Sequence, residues 1–410
     1  MDLVPFMKEK KKNKKRRKKI IEIKRIKRKP SKKVVPVVYK LGKNFKLKKI
    51  KKIRKGKTPR KASKKSAQIL KPKEISHKLE RFRGNPIIYP ANGMHWESRA
   101  TFNPTAFEHD GKIHVIYRAI GEDDISTLGY ASSRDGLSLR ERTFQPIYVH
   151  KQQTPVNKEE EFAFYSSGGS WNGGAEDPRI TKINEKLYMT YTAFNGWGSV
   201  RIGLTSILLE DFLNKKWNWR KPVLISPPGE IHKNWAVFPE KINGQYAMIH
   251  SISPNILIDY FDDLDSLDGQ KYIKSNFSGK PNWDSGMKSV RGIGPAPIKT
   301  KFGWLVLYHA MEKADPNRYK LFAMILDKKN PTKILHRSHK AVLEPDEFYE
   351  NEGHKPGVIY SCGAVIKGDN LYVYYGGADM VSCVATTNLN DFLKKLTTVG
   401  VVKLSKKKSK

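Results

Sequence analysis

Gly174-Ala-Glu-Asp-Pro-Arg-Ile-Thr-Lys-Ile-Asn-Glu-Lys-Leu-Tyr-Met-Thr-Tyr-Thr-Ala193 is the stretch that decides the fold. Its second half, from Glu185, follows a turn and is rich in residues that favour strands. That half returns as Gly111 to Ala119, Gly244 to Ser251, Gly303 to Ala310 and Asp369 to Gly377, each ending in an aromatic residue or His beside a small one. The first half, Glu176-Asp-Pro-Arg-Ile180, returns as Phe102 to Ala106, Phe238 to Ile242, Gly294 to Ile298 and Ser361 to Val365. Pro104, Pro178 and Pro295 precede Tyr117, Tyr191 and Tyr308 by 13 residues; Cys362 precedes Tyr375 by 13, and Pro239 precedes His250 by 11. A third strand with a polar end follows most copies, as in Gly129 to Asp135, Ile202 to Ser206 and Val381 to Thr386.

Units of three or four antiparallel strands, recurring every 58 to 74 residues, are each too small to bury both faces alone and must stack on one another. Five units predict an all-β chain folded as a five-bladed β-propeller. The innermost strand of each blade edges a central channel, and an edge strand tolerates Pro because it can lack a ladder donor. A β-sandwich is the competing architecture, but it gives no reason for five matched spacings. Helix is expected only in the N-terminal extension, in short connections and at Leu389 to Leu396, behind the cap Asn388.

Charge divides the chain differently. Residues 1–80 hold 34 Lys and Arg against 5 Asp and Glu, whereas residues 81–410 carry a net of only +9, with five of those positives at Lys403, Lys406, Lys407, Lys408 and Lys410. The domain expectation is therefore a basic extension over 1–80, disordered or partly helical, a propeller over 81–400, and a basic tail over 401–410. The extension reads as an arm for polyanions, or equally as a solvated tail with no specific partner or an extension from an upstream start codon. No zinc-finger or helix-turn-helix signature accompanies it. Two cysteines, Cys362 and Cys383, exclude a disulfide scaffold and a CxxC metal site. Without an apolar leader or a run of 18 apolar residues, the expectation is a soluble, cytoplasmic protein with no metal or other cofactor.

If the five upstream elements line one channel, residues far apart in sequence meet there. They include Asn103, Arg118, Glu176, Asp177, Arg179, Lys233, Glu240, Tyr308, His309 and Asp379, with Trp197, Trp235 and Trp304. Carboxylates beside aromatic rings suit a sugar, whose hydroxyls need hydrogen bonds and whose C–H faces stack on rings. Plainer readings stand beside this one. Arg179 can equally be an ion-pair partner of Glu176 or of a neighbouring blade, Trp304 fits a core pattern better than a platform, and Glu240 can be a solvated strand residue. A propeller adaptor tethered by its basic arm is the non-enzyme alternative.

Asn103-Pro104, Tyr117-Arg118-Ala119, Gly174-Ala-Glu-Asp-Pro-Arg-Ile180, Phe238-Pro-Glu-Lys-Ile-Asn-Gly244, Gly294-Pro-Ala-Pro297 with Gly303-Trp304, Tyr308-His309, and Cys362-Gly-Ala364 with Tyr374-Tyr-Gly-Gly-Ala-Asp379 together resemble glycoside hydrolase family 130. This is the family of β-mannoside phosphorylases and related β-mannosidases, and the likeness spans about residues 84 to 398. It implies inverting cleavage of a β-mannoside, with Asp177 supplying the proton for the leaving oxygen, in some members through a sugar hydroxyl. It implies that Asn103, Arg118 and Asp379 hold the mannosyl unit, and Glu176 and Arg179 belong to the same substrate-binding set. Lys233, Tyr308 and His309 fall at phosphate-contacting positions, with Arg201 a looser candidate. Phosphorolysis to α-mannose 1-phosphate takes inorganic phosphate as co-substrate and needs cations to hold it. Hydrolysis with inversion needs a second carboxylate to activate water, for which Glu240 and Asp284 are the candidates. Many phosphorylases of the family have His-Arg where this chain has His250-Ser251, so both reactions stay open, with phosphorolysis favoured.

Overall fold

The structure, a computed structural model, describes residues 78–150, 172–195, 200–275 and 288–398. All of them belong to the second of two units into which the chain divides, Lys71–Lys410. The basic extension up to residue 77, the tail over 401–410, Trp197 and Asp284 lie outside the described residues.

The described chain is all-β, with strands in five successive antiparallel groups. It opens with β1 (Glu80–Arg81). The first group is β2 (Ala100–His109), β3 (Lys112–Ile120) and β4 (Ser126–Ser133), with the short β5 (Glu141–Arg142) and β6 (Tyr148–Val149) both on β4. The second is β7 (Gly174–Ile183), β8 (Lys186–Phe194), β9 (Val200–Leu208) and β10 (Val223–Leu224), and the third is β11 (Ala236–Val237), β12 (Tyr246–Ser251) and β13 (Leu257–Phe261). In the fourth, β14 (Lys288–Ile293) and β15 (Ile298–Thr300) both pair with β16 (Gly303–Glu312), which is followed by β17 (Asp315–Leu326) and β18 (Ile334–Arg337). The fifth is β19 (Ile359–Lys367), β20 (Asn370–Gly377) and β21 (Val381–Asn388), completed by β1, which pairs Glu80 with Thr386. A parallel bridge between Ser126 and Gly174 joins the first two groups into one sheet. Among the described residues the α-helices are α1 (Leu209–Leu213), α2 (Phe348–Asn351) and α3 (Leu389–Thr398). The Asn388 side chain accepts from the Asp391 amide and caps α3, as expected.

The Pro-bearing segments sit differently from their expected place in two groups. In the fourth, Gly294-Pro-Ala-Pro297 interrupts the inner strand, separating β14 from β15. In the third, β11 ends before Phe238-Pro239. Pro lacks the ladder donor that a continued strand would need, so these prolines break the inner strand, while Pro104 and Pro178 lie within it.

Apolar packing joins each group to the next. Ile116 and Leu128 pack with Ile180 and Leu187, Ile183 and Tyr188 with Trp235 and Met248, and Phe238 and Ile249 with Trp304 and Phe322. Leu305 and Leu321 pack with Leu371 and Tyr375, where Phe392, Leu393 and Leu396 of α3 join them. Val365 and Tyr374 of the fifth group then pack with Ile113 and Tyr117 of the first. Each sheet is thus covered on both faces, which is why strands such as β3 are buried along nearly their whole length instead of alternating.

Candidate active site

Local backbone geometry at the start of the inner strands builds the site. The ladder slips by a bulge between Phe102 and Thr105 in β2, between Glu176 and Arg179 in β7, between Val290 and Gly292 in β14, and between Ser361 and Gly363 in β19. Inside the first two bulges Asn103 (φ 48°) and Asp177 (φ 51°) take left-handed conformations. Asn and Asp reach that region more readily than other side chains, and a following Pro costs nothing where the bulge already leaves a backbone group unpaired. Asn234 (φ 67°), ahead of β11, holds the corresponding place in the third group, since Ala236 faces Ile249 as Arg179 faces Thr190. In a regular strand Glu176 and Asp177 would point to opposite faces. The bulge turns both carboxylates onto one guanidinium.

That guanidinium is Arg118 of β3, buried above the Phe102 ring at 4.7 Å. Its Nη2 donates to Glu176 Oε1 at 2.8 Å, its Nη1 to Asp177 Oδ1 at 3.1 Å and its Nε to Ser126 Oγ at 2.8 Å. Asp177 Oδ1 also accepts from Asn103 Nδ2 at 2.7 Å. Lys233 Nζ lies 3.2 Å from Glu176 Oε2. Burial raises the proton affinity of both carboxylates, but Arg118 and Lys233 outweigh it, with Asn103 and Arg179 adding at Asp177. Both are held below the usual carboxylate range. Asp379 (φ 52°, buried) lies 3.4 Å from Lys355 Nζ through Oδ2 and contributes to the field at Arg118.

Arg179 is placed otherwise. Its Nε donates to Gly294 O at 2.8 Å, its Nη1 to Asp177 O at 2.9 Å, and its Nη2 to Asn234 Oδ1 at 2.9 Å, Ile293 O at 3.2 Å and Tyr360 OH at 3.4 Å. Its partners are carbonyls, an amide and a phenol drawn from four groups of strands. The Tyr360 hydroxyl also donates to Asn234 Oδ1, whose amide nitrogen donates to Arg291 O. The Tyr360 ring stacks on His309 with centroids 4.3 Å apart. Burial and then Arg179 lower the His309 pKa to about 3, so the imidazole is neutral. Its Nε2 accepts from the Ser361 amide at 2.9 Å, which places the ring proton on Nδ1. Buried His309 Nδ1 and Asn103 Oδ1 have no hydrogen-bond partner, a cost that binding of a polar ligand can remove.

The structure therefore brings together Asn103, Arg118, Glu176, Asp177, Arg179, Lys233, His309 and Asp379. It does not bring Tyr308. Adjacent strand residues face opposite sides, and the buried Tyr308 stacks on Phe322 while its hydroxyl accepts from Arg337 Nε at 2.7 Å. Arg201 donates through Nε to Ser226 O at 2.8 Å, over the Tyr272 ring. Glu240 is half exposed and paired with Lys299, six residues beyond Asn234 towards the hairpin at the other end of the strand run, a path of up to about 20 Å. Trp235 and Trp304 are buried in apolar clusters and offer no platform. Asn234 and Tyr360 are not among the residues that the sequence singles out: Asn234 sits in His232-Lys-Asn-Trp235, where an Asn just ahead of a strand, as at Asn103, is a faint signal. Tyr360 gave none. Tyr308→Phe is expected to change the KM for phosphate by less than about twofold, since the hydroxyl removed is bonded to Arg337 and the ring packs on Phe322, away from Asp177; steady-state kinetics at varied phosphate checks this.

Among the described residues no group of three or more His, Cys, Asp and Glu is placed to hold a metal, and no helix is long and apolar enough to cross a membrane. An all-β chain of repeated antiparallel groups, with buried carboxylates and cations gathered at the bulged starts of its inner strands, has the form of a carbohydrate-active enzyme.

The chain belongs to glycoside hydrolase family 130 and is an enzyme of that family: the family model, described as β-1,4-mannooligosaccharide phosphorylase, matches residues 66–398. A 1,2-β-oligomannan phosphorylase of Thermoanaerobacter sp. (strain X514) is 39% identical over 325 residues, covering 77% of this chain and 98% of that protein. A β-1,2-mannobiose phosphorylase of the same organism is 34% identical over 315 residues, covering 74% and 94%. A solved structure, reported with the finding that this family of mannoside phosphorylases contains glycoside hydrolases that target β-1,2-mannosidic linkages in Candida mannan, is 26% identical. It superposes with a TM-score of 0.60 over 76% of this chain and 94% of that one.

Proposed function

We propose that this enzyme cleaves β-1,2-linked oligomannosides by inverting phosphorolysis, releasing α-mannose 1-phosphate, with Asp177 as the proton donor and no cofactor beyond inorganic phosphate as co-substrate. The five strand groups are then the blades of a five-bladed propeller, a reading supported by apolar packing that runs from each group to the next and from the fifth to the first.

The observation that carries phosphorolysis is the charge balance around Asp177, where Arg118, Arg179 and Lys233 act on one carboxylate. Phosphate arrives as an anion and needs cations to hold it, whereas water needs a carboxylate base across the sugar ring. Glu176 is a poor base for water, because both of its oxygens are engaged by cations, and Glu240 lies at the other end of its strand run. Lys233 is the residue we assign to phosphate. Its ammonium is a compact point charge on a flexible stem, the form in which lysine binds phosphate. Asn103, through its unsatisfied Oδ1, and Asp379 are assigned to mannosyl hydroxyls. Arg179 is assigned to the scaffold of the site.

Because Arg118 and Lys233 hold Asp177 ionised against the effect of burial, its proton must be acquired as substrates load. Two negative charges on phosphate beside Lys233 offset the cations that hold the carboxylate ionised, so loading itself raises the proton affinity of Asp177. The linkage is assigned from the two named relatives, both acting on β-1,2-mannosides. Purified protein incubated with β-1,2- and β-1,4-mannobiose, with and without phosphate, tests all of this. The expected product is mannose 1-phosphate from the β-1,2 disaccharide, with turnover falling at least about 100-fold when phosphate is omitted. Equal release of free mannose without phosphate would make the enzyme a hydrolase.

A further inference from the structure

Glu176 is fully buried, and both of its oxygens face cations. Its two oxygens bind two cations, Arg118 Nη2 at 2.8 Å and Lys233 Nζ at 3.2 Å, and the first of these also serves the neighbouring acid through Nη1 at 3.1 Å. Burying a carboxylate is costly unless its charge is used. A structural counter-ion could sit anywhere along β7. This one is adjacent in sequence to Asp177, and only the left-handed bulge lets two consecutive side chains share a guanidinium.

We propose that Glu176 is a positioning residue that sets the proton affinity of Asp177 by sharing Arg118 with it, withholding part of the guanidinium's charge so that Asp177 can take up a proton during turnover. The inference rests on Asp177 being the proton donor. The charged and titratable groups around Asp177 are Arg118 on β3, Glu176 and Arg179 on β7, Lys233 ahead of β11, His309 on β16, Tyr360 and Cys362 on β19, and Asp379 after β20. His309 is neutral, and burial pushes the Tyr360 and Cys362 protons on more tightly, Cys362 to about 12. Three cations thus favour the ionised form of Asp177. Asp379 opposes them from beside Lys355, and Glu176 opposes them at the shared Arg118 itself.

The sign follows. An acid catalyst works in its protonated form, so turnover falls as pH rises through its pKa in the loaded enzyme. Removing the Glu176 charge leaves Arg118 and Lys233 to act on Asp177 uncompensated, which stabilises its carboxylate and moves that fall to lower pH. One charge at the distance of a shared guanidinium, in a medium of intermediate dielectric, is worth roughly one to two pH units.

The test is the pH dependence of kcat for wild type, Glu176→Gln and Glu176→Asp at saturating β-1,2-mannobiose and phosphate, with thermal melts of each. Glu176→Gln is expected to move the alkaline limb down by roughly one to two units, losing at least tenfold at neutral pH and much less on the acid side. Glu176→Asp keeps the charge but cannot span Arg118 and Lys233 together, so its limb moves in the same direction by a smaller amount. A loss by one factor at every pH with the limb in place overturns the proposal. If Glu176→Gln does not melt cooperatively, Glu176→Asp decides alone, and an unmoved limb overturns it equally. Failure of the underlying function reads differently: wild type then makes no mannose 1-phosphate at any pH.

Discussion

Asp177→Asn is expected to lower kcat for β-1,2-mannobiose phosphorolysis by about 10²–10⁴-fold, the range in which a positioned general acid contributes. The amide is nearly isosteric. It can still accept from Asn103 and Arg118 through its oxygen, so the bulge and the shared guanidinium are retained and cooperative melting should persist. What it lacks is a proton to give. The loss should therefore depend on the leaving group. A β-mannoside with a weakly basic aryl leaving group needs little protonation, so Asp177→Asn should lose far less against it than against mannobiose. Parallel kinetics on the two substrates make the check. If mannobiose turnover is largely retained, Asp177 is not the donor, and if both substrates lose the same factor, its part is in alignment and not in proton transfer.

Much of this was legible because the repeat marks strands in pairs. A proline or small residue 11 or 13 positions ahead of an aromatic or His reports a hairpin, and five such reports predicted an all-β chain of antiparallel groups before any coordinates. The same marker misled about direction. Tyr117, Tyr191, Tyr308 and Tyr375 are all buried core residues, their hydroxyls bonded to Glu97, Tyr148, Arg337 and Glu350. It is the next residue along that lies on the site side: Arg118, His309, and Gly376, where a Cβ would fall 2.2 Å from Asn103 Oδ1. Spacing identifies a strand and not which parity of it faces inward, because the strands that carry these residues are buried on both faces. The third group was misplaced for a related reason. The spacing points to Pro239 as the marker of the inner strand, but the equivalent of Asp177 is Asn234, and a left-handed Asn before Trp leaves little imprint on composition. Lys355 reaches Asp379 from a loop after α2, a contact that no repeat announces.

Arg179 carries the second large expected effect, on stability more than on binding. The likeness to the family groups it with the substrate-binding residues, yet it donates to Asp177 O, Gly294 O, Ile293 O, Asn234 Oδ1 and Tyr360 OH. Arg179→Met keeps most of the side-chain volume and removes every one of those donors. Each buried acceptor left without a partner costs about 1–3 kcal/mol, and relaxation recovers part of the sum, so a net destabilisation of roughly 3–5 kcal/mol is expected. Against a total of about 5–15 kcal/mol for a typical domain, that is a large fraction. Denaturant unfolding of wild type and variant measures it directly as a lower midpoint at unchanged slope. The loss should also reach the chemistry through geometry, since Nη1 holds the carbonyl of Asp177 itself and so helps fix the left-handed turn that aims the carboxylate. The opposite outcome is equally informative. Wild-type stability with a raised KM for mannobiose would mean that the guanidinium meets the sugar, and that the four groups of strands are held in register by other contacts.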